Sequence, residues 1–173
     1  MSDHGQIKRL VLPQGWTEQQ VESRDFQLWT LRQFHPSDNP AVTLSVYYRG
    51  HPISAASGAN FENLLEREPH ELDESECWSV QEVLRDAALP EVFVPSKIET
   101  GDWNGKRVLL VEGVWARTEE RSFGVYINAA DHGCQVQEIF YRSPAADYVK
   151  HKHAVMGALY SIEWVPQRQE PET

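Results

Sequence analysis

Apolar and polar residues alternate along much of the chain, as they do in β-strands that bury one face. The clearest example is residues 42–49, in which Val42, Leu44, Val46 and Tyr48 fall on one face. Similar alternation, and runs of β-branched and aromatic residues, predict further strands. The predicted strands span residues 7–12, 26–34, 42–49, 97–100, 106–117, 121–129 and 134–142.

Turn-forming residues separate these strands and indicate how they pair. Residues 35–40, HPSDNP, favour a turn, so the strands on either side of them should form an antiparallel hairpin. Asn104-Gly105 is a strong signal for a two-residue type I′ hairpin. Residues 131–133, DHG, predict the next turn. The second half of the chain is therefore predicted to form an antiparallel meander.

Two helical segments are predicted between the hairpin and the meander. The first contains apolar residues at positions 61, 64 and 65, which is helical spacing, and it ends before Pro69. The second runs towards Ala88 from an N-cap at Asp73 or Ser75.

The most distinct helical signal lies near the end of the chain, over residues 144–160. Ser143 is a good N-cap, and Pro144 suits the first helical position because the missing N–H has no intrahelical partner there. The residues predicted to mark the buried side of this helix are Tyr148, Val155, Met156, Leu159 and Ile162.

The length and the order of elements predict one domain over residues 7–165, with flexible termini at residues 1–6 and 167–173. Strands cluster before and after the helices instead of alternating with them one by one. This order favours an antiparallel sheet with helices packed on it and argues against a doubly wound parallel sheet.

Three segments resemble the PsbP-like superfamily. They are LPQGW near the start, GDWNGKRVLLVEG in the centre, and EIFYRSPAADYVKHKHAVMGALYSIEW near the end. The resemblance covers about residues 7–165. It implies an α+β fold, an α/β/α sandwich with a central antiparallel sheet, and an accessory or adaptor protein without enzyme activity. Residues 1–6 lack an apolar signal core, which favours the cytosolic bacterial-type members and a cytoplasmic location over the photosynthetic branch.

Charge narrows the classes of partner. The chain of 173 residues has 26 acidic and 16 basic side chains, a formal net charge of −10. Nucleic-acid binding needs basic groups on the phosphates, and anionic membranes also attract basic segments, so neither partner is expected. The expected partner is another protein, and a basic surface on it would be steered towards this chain.

Metal binding and catalysis have only weak candidates. Asp147 and His151 share a helix face, and His132 precedes Cys134 closely, but no three ligands share a local frame. We therefore expect no metal and no cofactor. The glycine-rich phosphate-binding motifs are absent from the sequence. Residues 131–133 are predicted to form a turn, which would not place His132 as a base beside the Cys134 thiol. The chain is predicted not to be an enzyme.

Aromatic residues are the strongest binding candidates. Of six tryptophans, Trp16, Trp78 and Trp164 suit the core. Trp103 lies in a turn, where it either anchors a partner or folds back onto the sheet edge, and Tyr47 is the second candidate anchor. The leading hypothesis is a protein-binding accessory, adaptor or chaperone domain. The alternatives are a small-ligand or metal-binding module and, last, a small hydrolase.

Overall fold

The structure is a computed structural model that describes residues 5–19, 30–130 and 133–166. Within these residues most strands belong to one seven-stranded sheet. The strands are β1 (Ile7–Arg9), β2 (Trp16–Gln19), β3 (Thr30–Pro36), β4 (Thr43–Tyr48), β5 (Phe93–Trp103), β6 (Lys106–Trp115), β7 (Arg121–Asn128), β8 (Val136–Ser143) and β9 (Glu163–Trp164). The helices are α1 (Ala55–Glu66), α2 (Glu74–Ser79), α3 (Gln81–Leu84), the 3₁₀ helix η1 (Arg85–Ala88) and α4 (Ala145–Tyr160).

Every neighbouring pair in the large sheet is antiparallel, in the order β2-β3-β4-β8-β7-β6-β5. The predicted hairpin of β3 and β4 and the predicted meander from β5 to β8 are both present. Residues 26–29 of the predicted second strand lie outside the described residues. β5 begins earlier than predicted, at Phe93, and it contains Pro95. An edge strand tolerates proline, and the pairing register shifts beside Pro95.

Helix α4 covers one face of the sheet. Its residues Tyr148, Val155 and Leu159 are buried against sheet residues such as Val125 and Ile139. The predicted buried side is thus correct, except that Met156 is only partly buried. One of the two hydrophobic core clusters lies between this helix and the sheet.

The other face carries the layer made by α1, α2, α3 and η1. Phe61 of α1 and Val83 of α3 are buried there with sheet residues including Leu109 and Val111. Helices therefore cover both faces of an antiparallel sheet, and the predicted α/β/α sandwich is confirmed.

Two predictions about helix ends need correction. Pro144, not Ser143, is the N-cap of α4, and the buried Ser143 hydroxyl donates instead to the Pro144 carbonyl at 3.0 Å. The second predicted helix is also divided into α2, α3 and η1. Asp73 caps α2 through a capping box with Glu76, as one of the two predicted alternatives. Arg85, where α3 ends, has φ 52°, which ends the α-helical geometry.

A small second sheet ties the ends of the described chain together by pairing β1 with β9. Gln6, inside the segment predicted to be a flexible terminus, is held by hydrogen bonds to Gln137, Ala129 and Val165. Residues 1–4 and 167–173 of the two predicted flexible termini lie outside the described residues. No helix among the described residues combines the length and the apolar character needed to cross a bilayer.

Candidate functional site

Trp103 is not an exposed anchor, which corrects one of the predicted binding residues. Its side chain is 5% exposed, its Nε1–H donates to the Leu159 carbonyl at 2.9 Å, and its ring stacks on Tyr160 with centroids 4.8 Å apart. The last carbonyls of an α-helix lack intrahelical donors, so the end of α4 offers the indole an acceptor. Of the two predicted alternatives, folding back onto the domain is the one observed, and Trp103 belongs to the core.

Tyr47 lies half-buried on the sheet face opposite α4. It pairs with Glu138 of β8, which in turn pairs with Tyr126 of β7, so the three side chains form a row across the sheet. The Arg85 guanidinium lies 5.9 Å from the Tyr47 ring centroid. Tyr47 also lines a cavity on this face, which is described below. Its predicted role in partner binding stays a prediction.

The predicted metal candidates Asp147 and His151 both lie in α4, but neither belongs to a metal-holding group among the described residues. His151 lies beside Trp16, with ring centroids 6.2 Å apart, and its Nε2 is buried with no hydrogen-bond partner among the described residues. Asp147 is one turn earlier on α4, and His132 lies outside the described residues. Nowhere in the described ranges do three His, Cys, Asp or Glu side chains form a group that could hold a metal ion.

An open groove lies beside α2, and we call it the Trp78 groove. Its volume is about 720 Å³. Its apolar lining consists of Cys77, Trp78, Leu84, Ala87, Ala88, Leu89, Pro90, Phe93, Pro95 and Ile98, and its polar lining of Glu74, Gln81, Glu82, Arg85 and Asp86. Trp78 is 66% exposed, and Leu89 is 42% exposed. Two large apolar side chains therefore stand in solvent above an apolar trough.

The prediction that Trp78 is a core residue is wrong, and the sequence contains a signal that would have shown this. Val80, Val83, Leu84 and Ala87 are buried at helical spacing. Trp78 precedes Val80 by two residues, which is about 200° around a helix. The buried stripe therefore faces the sheet while Trp78 faces away from it.

Carboxylates dominate the polar lining of the Trp78 groove. The described lining contains three carboxylate side chains, those of Glu74, Glu82 and Asp86, and one cationic side chain, that of Arg85. Glu82 accepts hydrogen bonds from the Ser54 hydroxyl at 2.6 Å and the Ser57 hydroxyl at 2.9 Å, and the Ser54 contacts above all lower the pKa of Glu82. The carboxylate is therefore ionised at neutral pH, and the groove has an acidic border.

Cys77 is an unsuitable nucleophile. Burial, followed by the nearby Asp73 and Glu76 carboxylates, raises the pKa of its thiol. The thiol is therefore protonated at neutral pH, whereas nucleophilic cysteines need a lowered pKa. No histidine occurs among the described residues that line this groove.

A second concavity lies on the other side of η1, and we call it the sheet-face cavity. Its volume is about 320 Å³. It is lined by Leu31, Tyr47, Leu84, Arg85, Asp86, Ala87, Phe93, Val111, Trp115, Ser122, Gly124, Tyr126, Glu138, Phe140 and Arg142. The two concavities share residues 84–87 and Phe93, so η1 forms a common wall between them.

A buried ion pair fixes this wall to the sheet. Arg49, 6% exposed, donates from Nε to Glu138 Oε1 at 2.5 Å and from Nη1 to the Glu82 carbonyl at 2.7 Å. Its Nη2 donates to the Val83 carbonyl. Burial raises the pKa of Glu138, and the Arg49 charge partly opposes this effect. Arg49 thus links strand β8 to helix α3 and positions η1 between the two concavities.

Known proteins resemble the chain in structure only. No family model matches the sequence, and no curated protein matches it. PA94 of Pseudomonas aeruginosa, a protein of unknown function suggested to be a regulator, is similar with a TM-score of 0.51 and 16% identity over 89% of this chain and 99% of that one. Cyanobacterial PsbP (CyanoP) of Synechocystis sp. PCC 6803 is similar with a TM-score of 0.53 and 13% identity over 95% of this chain and 89% of that one. The fold is PsbP-like.

Proposed function

We propose that this chain is a non-enzymatic accessory protein of the PsbP-like superfamily that binds another protein through the Trp78 groove. The observation that carries the proposal is Trp78 itself, 66% exposed beside a trough of apolar residues. Exposed apolar patches mark interaction sites more often than single exposed residues do, and tryptophan is enriched among the residues that dominate binding energy. The suggested regulatory role of the Pseudomonas protein agrees with an accessory role.

The groove selects a partner of a definite chemistry. Leu84, Leu89 and Phe93 in the trough suit an aliphatic or aromatic side chain. Glu74, Glu82 and Asp86 at its border suit Lys or Arg on either side of that side chain. The net charge of −10 attracts the same kind of partner over longer distances. The proposed ligand is a protein segment with a large apolar residue flanked by basic residues.

We also propose a cytoplasmic location, as expected for the cytosolic bacterial-type members of the superfamily. Cys77 and Cys134 are not joined by a disulfide, which agrees with a reducing compartment.

Selection of a random peptide library displayed on phage tests the proposed groove without assuming any particular partner. We expect enriched peptides to contain a large apolar residue flanked by Lys or Arg. A synthetic copy of such a peptide should bind the Trp78→Ala variant at least about tenfold more weakly than wild type, because anchor residues contribute about 2 kcal/mol or more. Val149, 72% exposed on α4, provides the control, and Val149→Ala should bind as wild type does.

Salt dependence gives a second readout. Association of the basic peptide should slow as sodium chloride concentration rises, since ions screen the attraction between exposed charges. Selection that enriches no common sequence, or peptides that bind Trp78→Ala and wild type equally, would show that the groove is not the binding surface.

A further inference from the structure

Helix α2, which carries Trp78, is held mainly by polar contacts. None of its six residues is buried, and of its two apolar side chains Cys77 is only partly buried against the core while Trp78 is exposed. Glu76 supplies several of the polar contacts. Its carboxylate accepts hydrogen bonds from the Arg67 guanidinium and, at 3.1 Å, from the Asp73 backbone N–H. The position of α2 therefore depends on what the Glu76 carboxylate binds.

His70 connects Glu76 to the edge of the large sheet. The His70 carbonyl accepts the backbone N–H of Thr100 in β5 at 2.9 Å, and the His70 backbone N–H donates to the Thr100 hydroxyl at 3.1 Å. The ring atom Nε2 lies 3.1 Å from Glu76 Oε1, and Nδ1 lies 2.7 Å from the Glu68 carbonyl oxygen. The backbone of His70 is thus fixed to the sheet, and its ring contacts α2.

Both ring nitrogens of His70 face hydrogen-bond acceptors. A neutral imidazole has one N–H, so it can donate to one of the two oxygens and turns a lone pair towards the other. The imidazolium donates to both, and its hydrogen bond to the ionised Glu76 is charge-assisted. The hydrogen bond to the Glu68 carbonyl, followed by that to Glu76, raises the pKa of His70. The arrangement therefore suits the protonated ring.

The described charged groups that face this ring favour the same state. Glu76 of α2 attracts the imidazolium, and Arg67 at the end of α1 repels it more weakly. The neighbour from β5, Thr100, is uncharged. The Asp73 backbone N–H above all lowers the pKa of Glu76, so this carboxylate stays ionised throughout the range in which histidine titrates. The proton on His70 is therefore the variable part of this cluster near neutral pH.

We infer that His70 is a pH-sensitive switch that sets how firmly α2, with Trp78, is held against the domain. The imidazolium ties Glu76 to the edge of β5, and the neutral ring gives up one of its two hydrogen bonds. The contacts of Glu76 with Arg67 and Asp73 remain, so loss of the proton loosens α2 without unfolding it.

The direction of the pH dependence follows from the pKa of His70. Because this pKa is raised in the folded protein, the contribution of His70 is complete below the unfolded value of 6.5 and is lost as pH rises through the folded value. The switch itself needs no partner. Its consequence, tighter binding at the Trp78 groove in mild acid than in mild base, rests on the function proposed above.

An NMR titration between about pH 5.5 and pH 8.5 tests the switch on the protein alone. The His70 Cε1–H signal is identified by its loss in His70→Gln, and the Trp78 indole N–H signal by its loss in Trp78→Phe. The midpoint of His70 should lie above about 6.5. The Trp78 indole and the backbone amides of residues 74–79 should shift with the same midpoint.

Three variants separate His70 from the other histidines. His70→Gln keeps a donor for Glu76 but cannot titrate in this range, so the Trp78 signal should lose that midpoint. His153→Gln is the matched control, because His153 is exposed on α4, on the other face of the sheet, and the midpoint should stay. Glu76→Gln removes the charge that faces the ring and should lower the His70 midpoint, which also tests the switch if His70→Gln does not fold.

A peptide selected for the Trp78 groove shows whether the switch regulates binding. A histidine-free peptide with an acetylated N-terminus does not titrate near neutral pH. It should bind the wild-type protein about threefold more weakly at about pH 8 than at about pH 6, the size expected for an exposed ion pair, and it should bind His70→Gln equally at both.

The two proposals fail separately. A His70 midpoint at or below about 6.5, a Trp78 signal that does not follow His70, or an unchanged Trp78 midpoint in His70→Gln would overturn the switch. Equal peptide affinity of the wild-type protein at both pH values would overturn its effect on binding. A selection that yields no peptide would refute the groove, and the NMR titrations of the protein alone would still decide the switch.

Discussion

Truncation of Trp103 tests whether the turn between β5 and β6 is part of the core. The indole donates to the Leu159 carbonyl and stacks on Tyr160. The neighbouring Asn104 side chain donates to the Tyr160 carbonyl at 3.0 Å and to the Ile162 carbonyl at 3.1 Å. This hairpin turn therefore holds the C-terminal end of α4, and Trp103 is its largest apolar contact.

The expected loss follows from these contacts. Replacing a buried tryptophan by alanine costs about 3–5 kcal/mol through lost burial and the cavity left behind. Trp103→Phe keeps most of the apolar contact and removes the hydrogen bond, so its cost should be nearer 1–2 kcal/mol, of which about 1 kcal/mol is the hydrogen bond itself. For a chain of this length each kcal/mol lowers Tm by about 2–4 °C, so Trp103→Ala should melt roughly 6–20 °C below wild type.

Urea unfolding followed by circular dichroism measures both variants. Circular dichroism is preferable to fluorescence here because the substitution itself removes a tryptophan. The reasoning fails if Trp103→Ala has the same midpoint and slope as wild type, or if Trp103→Phe is as unstable as Trp103→Ala.

Three further predictions concern the same scaffold. Arg49→Ala should cost about 3–5 kcal/mol in urea unfolding, because Glu138 loses its buried partner, and a loss below about 1 kcal/mol would contradict this. Gly113→Ala should destabilise the protein strongly, because a Cβ there would overlap the Val94 carbonyl oxygen. Gly157→Ala in α4 should instead raise the free energy of unfolding by about 0.5–1 kcal/mol, because a Cβ at Gly157 has no heavy atom within 4 Å. Equal midpoints for the two variants in urea unfolding would refute this pair of predictions. Burial alone would raise the pKa of Glu112, but hydrogen bonds from Lys152 and Tyr148 outweigh it and lower that pKa. The stability from Glu112 is therefore complete above the unfolded pKa and is lost as pH falls through the folded value, so Glu112→Gln should be less stable than wild type at neutral pH and approach it in acid; an equal difference at both pH values would be contrary evidence.

Local signals were sufficient to predict much of the fold. Asn104 and Gly105 have φ 51° and 79°, as a type I′ turn requires, and β5 and β6 pair on either side of this turn. A two-residue turn is specified by residues that are adjacent in the sequence, so the sequence pattern is enough to predict it. The division of the second predicted helix at Arg85 had no such local signal, because ordinary side chains rarely adopt positive φ.

The sequence by itself determined the antiparallel meander, the last helix and the sandwich of helices on a sheet, because period and turn chemistry are local properties. Only the tertiary structure decided that Trp103 is buried, because the acceptor for its indole lies 56 residues away, at the end of α4. The sheet-face cavity brings together residues of six strands, β3 to β8, with α3 and η1. Burial and concavity depend on elements distant in the chain, and no local pattern contains that information.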